Sequence, residues 1–233
     1  MKILYLIPAR GGSKGLPNKN IKELNSKPLI HYSIDYARKF VLDDDICVST
    51  DSDEIVACVN QINLSVRFKR PDEIATDTSS TNEVIVHALN KLESEGKFYD
   101  LLILLQPTSP FRKAVDFKNM LKNWDNNLDL MVSVKEPHDS PYFNIFEENS
   151  LGYLEKSKAT LGTRRQDVPK VYTYNGSIYI FNVKSLKEKP ISSFDKIKKY
   201  IMNDPICSID IDNHFDWLVA ETIINSKMFE DAE

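Results

Sequence analysis

The sequence predicts an α/β fold with a mostly parallel central sheet. Short apolar segments of strand length alternate with segments in which apolar residues recur at helical spacing, and this alternation runs from residue 2 to residue 134. Repeated strand–helix units build a parallel sheet with helices on both faces. The chain has 233 residues, a length that suits one such domain. We therefore expect a single domain over residues 1–233.

The elements follow one another in a regular order. The first strand, residues 2–7, is continuously apolar, which is typical of a strand covered on both faces. Residues 101–105 form the most apolar strand and are expected near the centre of the sheet. Further strands are expected at residues 45–49, 66–68, 130–134, 171–183, 199–202 and 206–211. Helices are expected at residues 28–39, 51–61, 80–95 and 113–124.

A last helix is expected to begin near Asn213. Its core face is predicted to carry Phe215, Leu218, Val219, Thr222 and Ile223. The regular alternation stops well before this helix, after Glu136. Residues 137–170 are polar with scattered prolines and glycines, and they predict a hairpin or arm and a loop. The Asn175-Gly176 pair within residues 171–183 indicates a tight turn, with a bend that contacts no ligand as the alternative.

Composition and charge exclude several classes of protein. The net charge of −4 leaves no basic surplus for a nucleic-acid backbone, so no nucleic-acid partner is expected. No run approaches the roughly 20 apolar residues that span a bilayer, and the chain opens on a strand without a leader, so no membrane partner is expected. Three scattered cysteines and four unpaired histidines predict neither disulfides nor a zinc site. These features together predict a cytoplasmic protein.

The most specific motif is the loop that follows the first strand. Residues 8–20 read P-A-R-G-G-S-K-G-L-P-N-K-N and carry the cations Arg10, Lys14 and Lys19. Glycines let a backbone approach a ligand closely, and exposed N–H groups together with cations bind phosphates. The glycine spacing matches neither the P-loop nor the dinucleotide fingerprint. The loop therefore indicates a nucleoside triphosphate site, with a basic flexible connector as the alternative.

A second motif, S-I-D-I-D at residues 208–212, brings two carboxylates together. Because side chains alternate along a strand, Asp210 and Asp212 are expected on the same face. Two carboxylates suit Mg²⁺ when phosphate oxygens complete its ligands, and the alternative is a solvated face with Asp212 as a helix cap. No Ser-His-Asp or Cys-His pairing is indicated, so the sequence favours metal-assisted displacement at phosphorus.

Loops at three strand ends are expected to meet in one crevice. The opening loop, residues 49–51 and residues 106–108 each follow a predicted strand, and ligands of such sheets bind beyond the carboxyl ends of the strands. The paired arginines Arg164 and Arg165 lie in a later loop, where they can fork onto a carboxylate or phosphate or remain solvated.

Taken together, these motifs resemble the N-acylneuraminate cytidylyltransferases, the CMP-sialic acid synthetases. The resemblance is carried, in the family's order, by I-P-A-R-G-G-S-K-G at 7–15, K-N at 19–20, V-S-T-D at 48–51, R-P at 70–71, D-T at 77–78, L-Q-P-T-S-P at 105–110, R-Q at 165–166, N-G at 175–176 and I-D-I-D at 209–212. It implies a Rossmann-like nucleotidyltransferase fold. It also implies a homodimer in which residues 136–190 form a dimerisation arm that reaches over the partner's site.

The resemblance implies a reaction and a role for each matching residue. CTP and an N-acylneuraminate give the CMP-sugar and pyrophosphate in a Mg²⁺-dependent attack of the sugar C2 hydroxyl on the α-phosphate. The implied CTP-binding residues are Ala9, Arg10, Gly11, Gly12, Ser13, Lys14, Lys19, Asn20, Arg70, Ser79 and Thr81. The implied sugar-binding residues are Gln106, Arg165 and Asn175, and the implied metal ligands are Asp210 and Asp212. Catalysis would rest on Arg10, Lys19 and Asp210.

One departure from the family pattern leaves the sugar open. Some relatives carry a second arginine two residues before the Asn-Gly pair, where this chain has Thr173. Legionaminic, pseudaminic and 3-deoxy-manno-octulosonic acids are therefore alternatives, the last disfavoured by the G-G-S-K-G core of the loop. A glycosyltransferase with a D-x-D metal site is an alternative of another class, but it would leave the basic loop unexplained. A non-catalytic nucleotide-binding relative is a third, and every charged position expected of an enzyme is present.

Overall fold

The computed structural model describes residues 1–12 and 15–231, and ten β-strands are found there. In chain order, β1 to β5 are Ile3–Pro8, Glu23–Leu24, Lys27–Pro28, Ile46–Ser49 and Leu101–Leu104. The remaining strands, β6 to β10, are Leu130–Lys135, Phe146–Glu148, Leu154–Lys156, Thr173–Asn182 and Ile197–Ile201. Six of them form the central sheet in the order β10-β6-β9-β5-β1-β4, with the apolar β5 in its interior as predicted.

Six α-helices in the described part of the chain connect and cover these strands. In chain order, α1 to α6 are Leu29–Arg38, Asp53–Asn60, Thr81–Ser94, Ala114–Lys122, Val183–Glu188 and His214–Asn225. Side chains of β1 alternate between two apolar clusters, because successive residues of a strand point to opposite faces. Tyr5 and Ile7 pack in the cluster that contains residues of α1, α2 and α4, while Leu4 and Leu6 pack in the cluster that contains residues of α3 and α5. The predicted α/β architecture with helices on both faces is confirmed.

One strand of the sheet runs against the others. β1 pairs in parallel with β4 and β5, and β10 pairs in parallel with β6, but β9 is antiparallel to both β5 and β6. The chain leaves β6 at its carboxyl end, forms the β7–β8 hairpin, and returns directly beside β6 as β9, which requires an antiparallel strand. The hairpin therefore protrudes from the same edge of the sheet as the loop after β1.

The Asn175-Gly176 pair is not the predicted tight turn. It lies inside the continuous strand β9, where the register with β6 shifts between Val132 and Val134. Gly176 has φ +74°, a left-handed conformation that favours glycine. The pair therefore lies in an enlarged β-bulge. Between the pairs Val132–Tyr179 and Val134–Tyr174, β6 advances by two residues and β9 by five, so β9 accommodates three extra residues without reversing the chain.

Two other predicted strands are wrong. Residues 66–68 form no strand, and only Lys69 makes an isolated bridge, to Thr50. Residues 206–211 begin as a 3₁₀-helix, Pro205–Ser208, since Asp204 caps its start by accepting from the amide of Ile206. The following segment is extended but joins no sheet ladder among the described residues.

The buried face of α6 also differs from the prediction. Trp217, Ala220 and Ile223 are buried, whereas Phe215 is 72% exposed and Leu218 is 47% exposed. The helix carries two apolar stripes, and the larger Trp217 side chain packs in the cluster that includes Leu24, Leu29 and Phe111. Packing of the indole therefore decides the orientation of the helix. No helix of the described residues is long and apolar enough to cross a membrane.

Candidate functional site

A cavity of about 480 Å³ opens at the carboxyl ends of β1 and β5. This is the edge at which ligands bind in sheets of this kind, and the volume is typical of a small-molecule site. The lining residues are Pro8, Arg10, Gly15, Lys19, Asn20, Arg70, Gln106, Pro107, Thr108, Asp210 and Asp212. The structure thus brings the opening loop and residues 106–108 together, as the sequence predicts, and the D-x-D motif joins them. Residues 49–51, which were expected in the same crevice, are not among the lining residues.

The opening loop is held in place by its own backbone contacts. The amide of Ala9 donates to the carbonyl of Ser49 (2.9 Å), and the amide of Gly11 donates to the Asp51 carboxylate (3.1 Å). The buried Asn20 donates its side-chain amide to the Arg10 carbonyl (3.0 Å). Asn20 therefore supports the loop as well as lining the cavity. The predicted phosphate ligands Ser13 and Lys14 lie outside the described residues.

Lys19 joins the opening loop to the D-x-D motif. Its side chain is largely buried, and its Nζ donates to the Ile211 carbonyl (2.6 Å) and to the Asp212 carboxylate (3.0 Å). These contacts fix the lysine at the base of the cavity, where its charge faces any anion that enters. The cation and the two carboxylates thus belong to one site, although 191 residues of sequence separate Lys19 from Asp210.

Gly15 allows the loop to lie directly on the Asp212 peptide. A Cβ added at Gly15 would lie well inside van der Waals contact of the Asp212 carbonyl oxygen, a backbone atom that cannot rotate away. Gly12, in the same loop, has no described atom within 4 Å of an added Cβ. An added methyl group would therefore collide with the Asp212 backbone at Gly15 but with no described atom at Gly12.

Replacing Gly15 by alanine is expected to displace the loop from Asp212 and to weaken CTP binding by about tenfold or more, since site geometry is lost. Gly12→Ala is the comparison variant: the resemblance places Gly12 against CTP as well, but its added methyl group meets no described atom, so it should weaken binding less than Gly15→Ala does. Calorimetric titration with CTP measures both. Equal affinities for the two variants would contradict the close approach assigned to Gly15.

Two arginines line the cavity in different ways. Arg10 is half-buried and pairs with Asp77. Arg70 is 5% exposed, and its guanidinium donates to the Ser49 hydroxyl (3.1 Å) and the Ser49 carbonyl (2.5 Å). Arg70 is therefore fixed in direction, while Arg10 has a carboxylate partner that a phosphate could replace. Asp77 belongs to the D-T motif at 77–78, but the sequence does not predict its pairing with Arg10.

Asp210 has the properties of a metal ligand. Its Oδ1 atom is buried and accepts no hydrogen bond from the described residues. Burial raises the pKa of this carboxyl, as does the nearby Asp212, while Thr108, Lys19 and Arg112 lower it. A buried carboxylate oxygen without a donor is costly unless a cation binds it.

The D-x-D motif offers Mg²⁺ two protein ligands. Asp212 is mostly exposed and lines the same cavity as Asp210. The described part of the chain holds no group of three or more His, Cys, Asp or Glu side chains around one metal position. Mg²⁺ is commonly bound by one or two carboxylates plus substrate phosphates and water, so this pair fits magnesium carried in with a polyphosphate.

Gly176 lies where Gln106 and Asp210 approach each other. A Cβ added there would lie 2.9 Å from Ser109 Oγ, 3.2 Å from Gln106 Oε1 and 3.3 Å from Asp210 Oδ2. The bulge in β9 thus places a residue without a side chain at the floor of the site. The sequence gives the Asn-Gly pair but not this use of it, because the packing partners come from distant segments.

Asn175 does not line the cavity as the resemblance implied. Its Oδ1 accepts from the Ser133 hydroxyl (2.6 Å) and the Ser177 amide (3.2 Å), and its Nδ2 donates to the Ser208 hydroxyl (3.1 Å). Met202 Sδ lies 3.2 Å from the same nitrogen. The side chain is buried and satisfied within the protein, so Asn175 supports the bulge rather than presenting a free amide to a sugar.

In the opening loop, Ala9, Gly11 and Gly12 are not among the residues that line the cavity. Outside that loop, three other predicted residues also lie away from the cavity within one chain. The Ser79 hydroxyl accepts from the Thr76 amide (3.0 Å), and Thr81 is the exposed first residue of α3. Arg165 donates to the His138 carbonyl (2.6 Å) and lies in a groove of the segment that carries the β7–β8 hairpin. None of these three is among the residues that line the cavity.

The chain is similar to known proteins over most of its length. The chain is 37% identical to post-translational flagellin modification protein B of Campylobacter coli, with 97% of this chain and 96% of that protein covered. It is 35% identical to the CMP-N,N'-diacetyllegionaminic acid synthase of Legionella pneumophila, with 96% and 97% covered. It is 34% identical to an N-acylneuraminate cytidylyltransferase of Streptococcus agalactiae, over 94% of this chain and 52% of that longer protein.

A solved structure has the same fold. The structure of CMP:2-keto-3-deoxy-manno-octonic acid synthetase in complex with CTP superposes with a TM-score of 0.71 at 17% identity, covering 97% of this chain and all of that one. The sequence itself matches the family described as Cytidylyltransferase over residues 4–213. This span includes the opening loop, the Gln106 segment and both aspartates of the D-x-D motif. The chain belongs to the cytidylyltransferase family of nucleotidyltransferases.

Proposed function

We propose that this protein transfers CMP from CTP to a nonulosonic acid of the N-acylneuraminate type and releases pyrophosphate. The observation that carries the proposal is the cavity lined by Arg10, Lys19 and Arg70 together with Asp210 and Asp212, in which Lys19 pairs with Asp212. Cations and carboxylates that line one cavity suit a metal-bound triphosphate. Relatives with nearly full-length coverage are named as synthases of CMP-nonulosonic acids.

Each residue of the cavity has a proposed task in this reaction. Arg10 and Lys19 bind the phosphates of CTP and stabilise the charge that develops on the departing pyrophosphate. Arg70, which is fixed by Ser49, faces the nucleoside, and Gln106 orients the sugar acid. Recognition of the cytosine ring by Ser79 and Thr81 stays a prediction.

Positioning is the main contribution of the protein to the chemical step. The oxygen of the sugar C2 hydroxyl bonds to the α-phosphorus in line with the leaving group and its proton passes to solvent. The bond between that phosphorus and the bridging oxygen breaks, so that pyrophosphate leaves. Asp210 and Asp212 would hold Mg²⁺, which when bound neutralises charge on the phosphates. The buried, donor-free Oδ1 of Asp210 supports this assignment.

N,N'-diacetyllegionaminic acid is the second candidate substrate. The synthases of its CMP derivative in Legionella pneumophila and Campylobacter jejuni match this chain over nearly their whole length. Thr173, where some relatives of the N-acylneuraminate type carry arginine, also removes one positive group from the strand beside the site. Pseudaminic acid and 3-deoxy-manno-octulosonic acid complete the set to be compared.

Pyrophosphate release from CTP with each of these four acids tests the proposed function. We expect Mg²⁺-dependent release with an N-acylneuraminate or a legionaminic acid, and a lower kcat/KM with 3-deoxy-manno-octulosonate. ATP, GTP and UTP serve as controls for the nucleoside. If the protein binds CTP but releases pyrophosphate with none of the four acids, the proposal is overturned. Pyrophosphate release that does not require an acid would also overturn it.

A homodimer is part of this proposal, and the segment of residues 136–190 is its arm. The β7–β8 hairpin has two three-residue strands, and an isolated two-stranded hairpin is marginally stable in water. Its surroundings expose large apolar side chains, namely Ile145, Phe146, Leu151, Tyr153, Leu154 and Leu161. Such a surface is typical of one that packs against another chain. An arm that crosses to a second copy would also bring Arg165 to a sugar carboxylate there.

A mixing experiment tests whether Arg165 serves the partner's site. Lys19→Ala and Arg165→Ala are each expected to be nearly inactive, since both remove a charged contact to a substrate. A heterodimer of the two has one site with both changes and one site with neither. Random mixing by co-expression should therefore restore about a quarter of the parent activity, since half of the dimers are heterodimers with one intact site.

Arg164→Ala is the matched control for this experiment, because Arg164 pairs with Asp167 in its own loop. It should retain nearly full activity. Mixed samples whose activity is only the average of the two variants would contradict a shared site. Sedimentation of the parent as a monomer would contradict the dimer itself.

We also propose that the protein acts in the cytoplasm. The three cysteines, Cys47, Cys58 and Cys207, are all free and buried. Burial raises the pKa of the Cys47 and Cys207 thiols to about 12, so neither reacts readily as a thiolate. A chain that keeps its thiols unpaired in this way suits a reducing compartment.

A further inference from the structure

Arg112 is a fully buried arginine beside the site, and no sequence motif assigned it a role. It lies two residues after the Q-P-T-S-P segment and is 1% exposed. Its three nitrogens each donate a hydrogen bond: Nε to the Ser177 carbonyl (2.8 Å), Nη2 to the Gln106 carbonyl (2.5 Å) and Nη1 to the Ser33 hydroxyl (3.0 Å). One guanidinium therefore ties the Gln106 segment, the bulge of β9 and helix α1 together.

We propose that Arg112 is a positioning residue that holds Gln106 and the Gly176 bulge in the geometry required for CMP transfer. The proposal rests on the proposed function. Two of its contacts go to backbone carbonyls of the site itself, since Gln106 lines the cavity and Ser177 directly follows Gly176. A rigid, planar fork of donors fixes two peptides relative to each other in a way that a single ammonium group cannot.

The burial of Arg112 is costly and is not explained by an ion pair. Among the described residues no carboxylate lies within ion-pair distance of it. Its guanidinium lies over the ring of Tyr36, 5.8 Å from the centroid, and the charge of Asp210 acts on it from the site. A buried charge without a paired carboxylate is expensive. Proteins accept such a cost mainly at functional sites.

Three buried polar atoms of the site and the bulge also lack hydrogen-bond partners. Ser109 Oγ, Ser177 Oγ and Asp210 Oδ1 are buried and have no hydrogen-bond partner among the described residues. Ser109 Oγ lies against Gly176 beside Gln106 and Asp210. Arg112 holds the carbonyls of Gln106 and of the residue after Gly176, so a displacement of either peptide would move Gln106 or the bulge that lies against Asp210. Arg112 is the group that contacts both peptides.

Arg112→Lys and Arg112→Met test the proposal, with Ser33→Ala as the matched control. Arg112→Lys keeps the charge but loses the fork and should lower kcat about tenfold, and Arg112→Met should lower it about a hundredfold, as supporting contacts of a site typically do. The KM for CTP, measured with Mg²⁺, should rise no further than CTP binding in Mg²⁺ weakens, because the cationic residues of the cavity are untouched. Ser33→Ala removes only the contact to α1 and should lower the melting temperature with kcat unchanged.

Calorimetry provides a readout that does not depend on turnover. The parent and both Arg112 variants should bind CTP with similar affinity in EDTA, and the variants should lose most of the gain in affinity that Mg²⁺ gives the parent. A purely structural role is the conclusion if Arg112→Lys melts at a lower temperature yet keeps the parent's kcat and Mg²⁺ gain. If the parent binds CTP with Mg²⁺ but transfers CMP to none of the acids, the proposed function is overturned. The calorimetric comparison still decides the role of Arg112 in that case. Because Arg112→Lys keeps a buried cation, it remains informative where Arg112→Met fails to fold.

Discussion

Replacing Lys19 by alanine is expected to lower kcat/KM for CTP about 10²- to 10³-fold, the usual cost of removing a buried donor that stabilises transition-state charge. Lys19 is 8% exposed, and its Nζ already contacts the Ile211 carbonyl and the Asp212 carboxylate. The change removes a phosphate ligand and also leaves Asp212 without its cation. Both effects act against a bound triphosphate. Steady-state pyrophosphate release, with CTP varied at saturating sugar acid, measures the result.

Lys22→Ala is the matched control for Lys19. Lys22 is the next lysine along the chain, and its Nζ lies over the ring of Trp217, 4.2 Å from the centroid, rather than in the cavity. This variant should lose at most a little stability and retain the parent's kcat/KM. If Lys19→Ala kept nearly full activity, or if the two lysine variants were equally impaired, the opening loop would not be the phosphate-binding wall.

The parts of the site that the sequence predicts are those carried by local motifs. The loop after β1 follows from its glycines and cations, and the crevice at the strand ends follows from the alternation of strands and helices. The D-x-D carboxylates are predicted to share a face and do line one cavity, although residues 206–208 are helical rather than a strand. For the loop and the D-x-D pair the signal lies within about 13 neighbouring residues, where backbone propensity and side-chain spacing act, whereas the crevice follows from the order of strands and helices along residues 2–134.

The parts that could not be predicted depend on packing between distant segments. Asn175 belongs to a motif, but only the positions of Ser133 and Ser208 decide that its amide is satisfied inside the protein. Arg112 reads as an ordinary surface arginine until the fold places the Gln106 and Ser177 carbonyls on either side of it. The orientation of β9 likewise depends on where the arm returns, which no local pattern encodes.

Replacing Asp210 by asparagine is expected to lower Mg²⁺-dependent turnover about 10³-fold, since the change removes a charged metal ligand and keeps the shape of the side chain. Asp210 Oδ1 is buried and accepts no hydrogen bond from the described residues, so the protein leaves this oxygen available to a cation. CTP affinity in EDTA should be unchanged or slightly higher, because a negative group facing the triphosphate is lost. Calorimetry with CTP, with and without Mg²⁺, and steady-state kinetics over a range of Mg²⁺ concentrations measure the two effects.

Asp204→Asn is the control for Asp210. Asp204 precedes the same segment, but its carboxylate pairs with Lys113 (2.5 Å) outside the cavity. Removing that charge should cost some stability and leave the Mg²⁺ dependence of turnover unchanged. A variant Asp210→Asn that reached the parent's kcat at the parent's Mg²⁺ concentration would rule out the metal-binding role. A loss of CTP affinity in EDTA would instead make Asp210 a structural support of the nucleotide wall, because an effect without Mg²⁺ has to act through the protein.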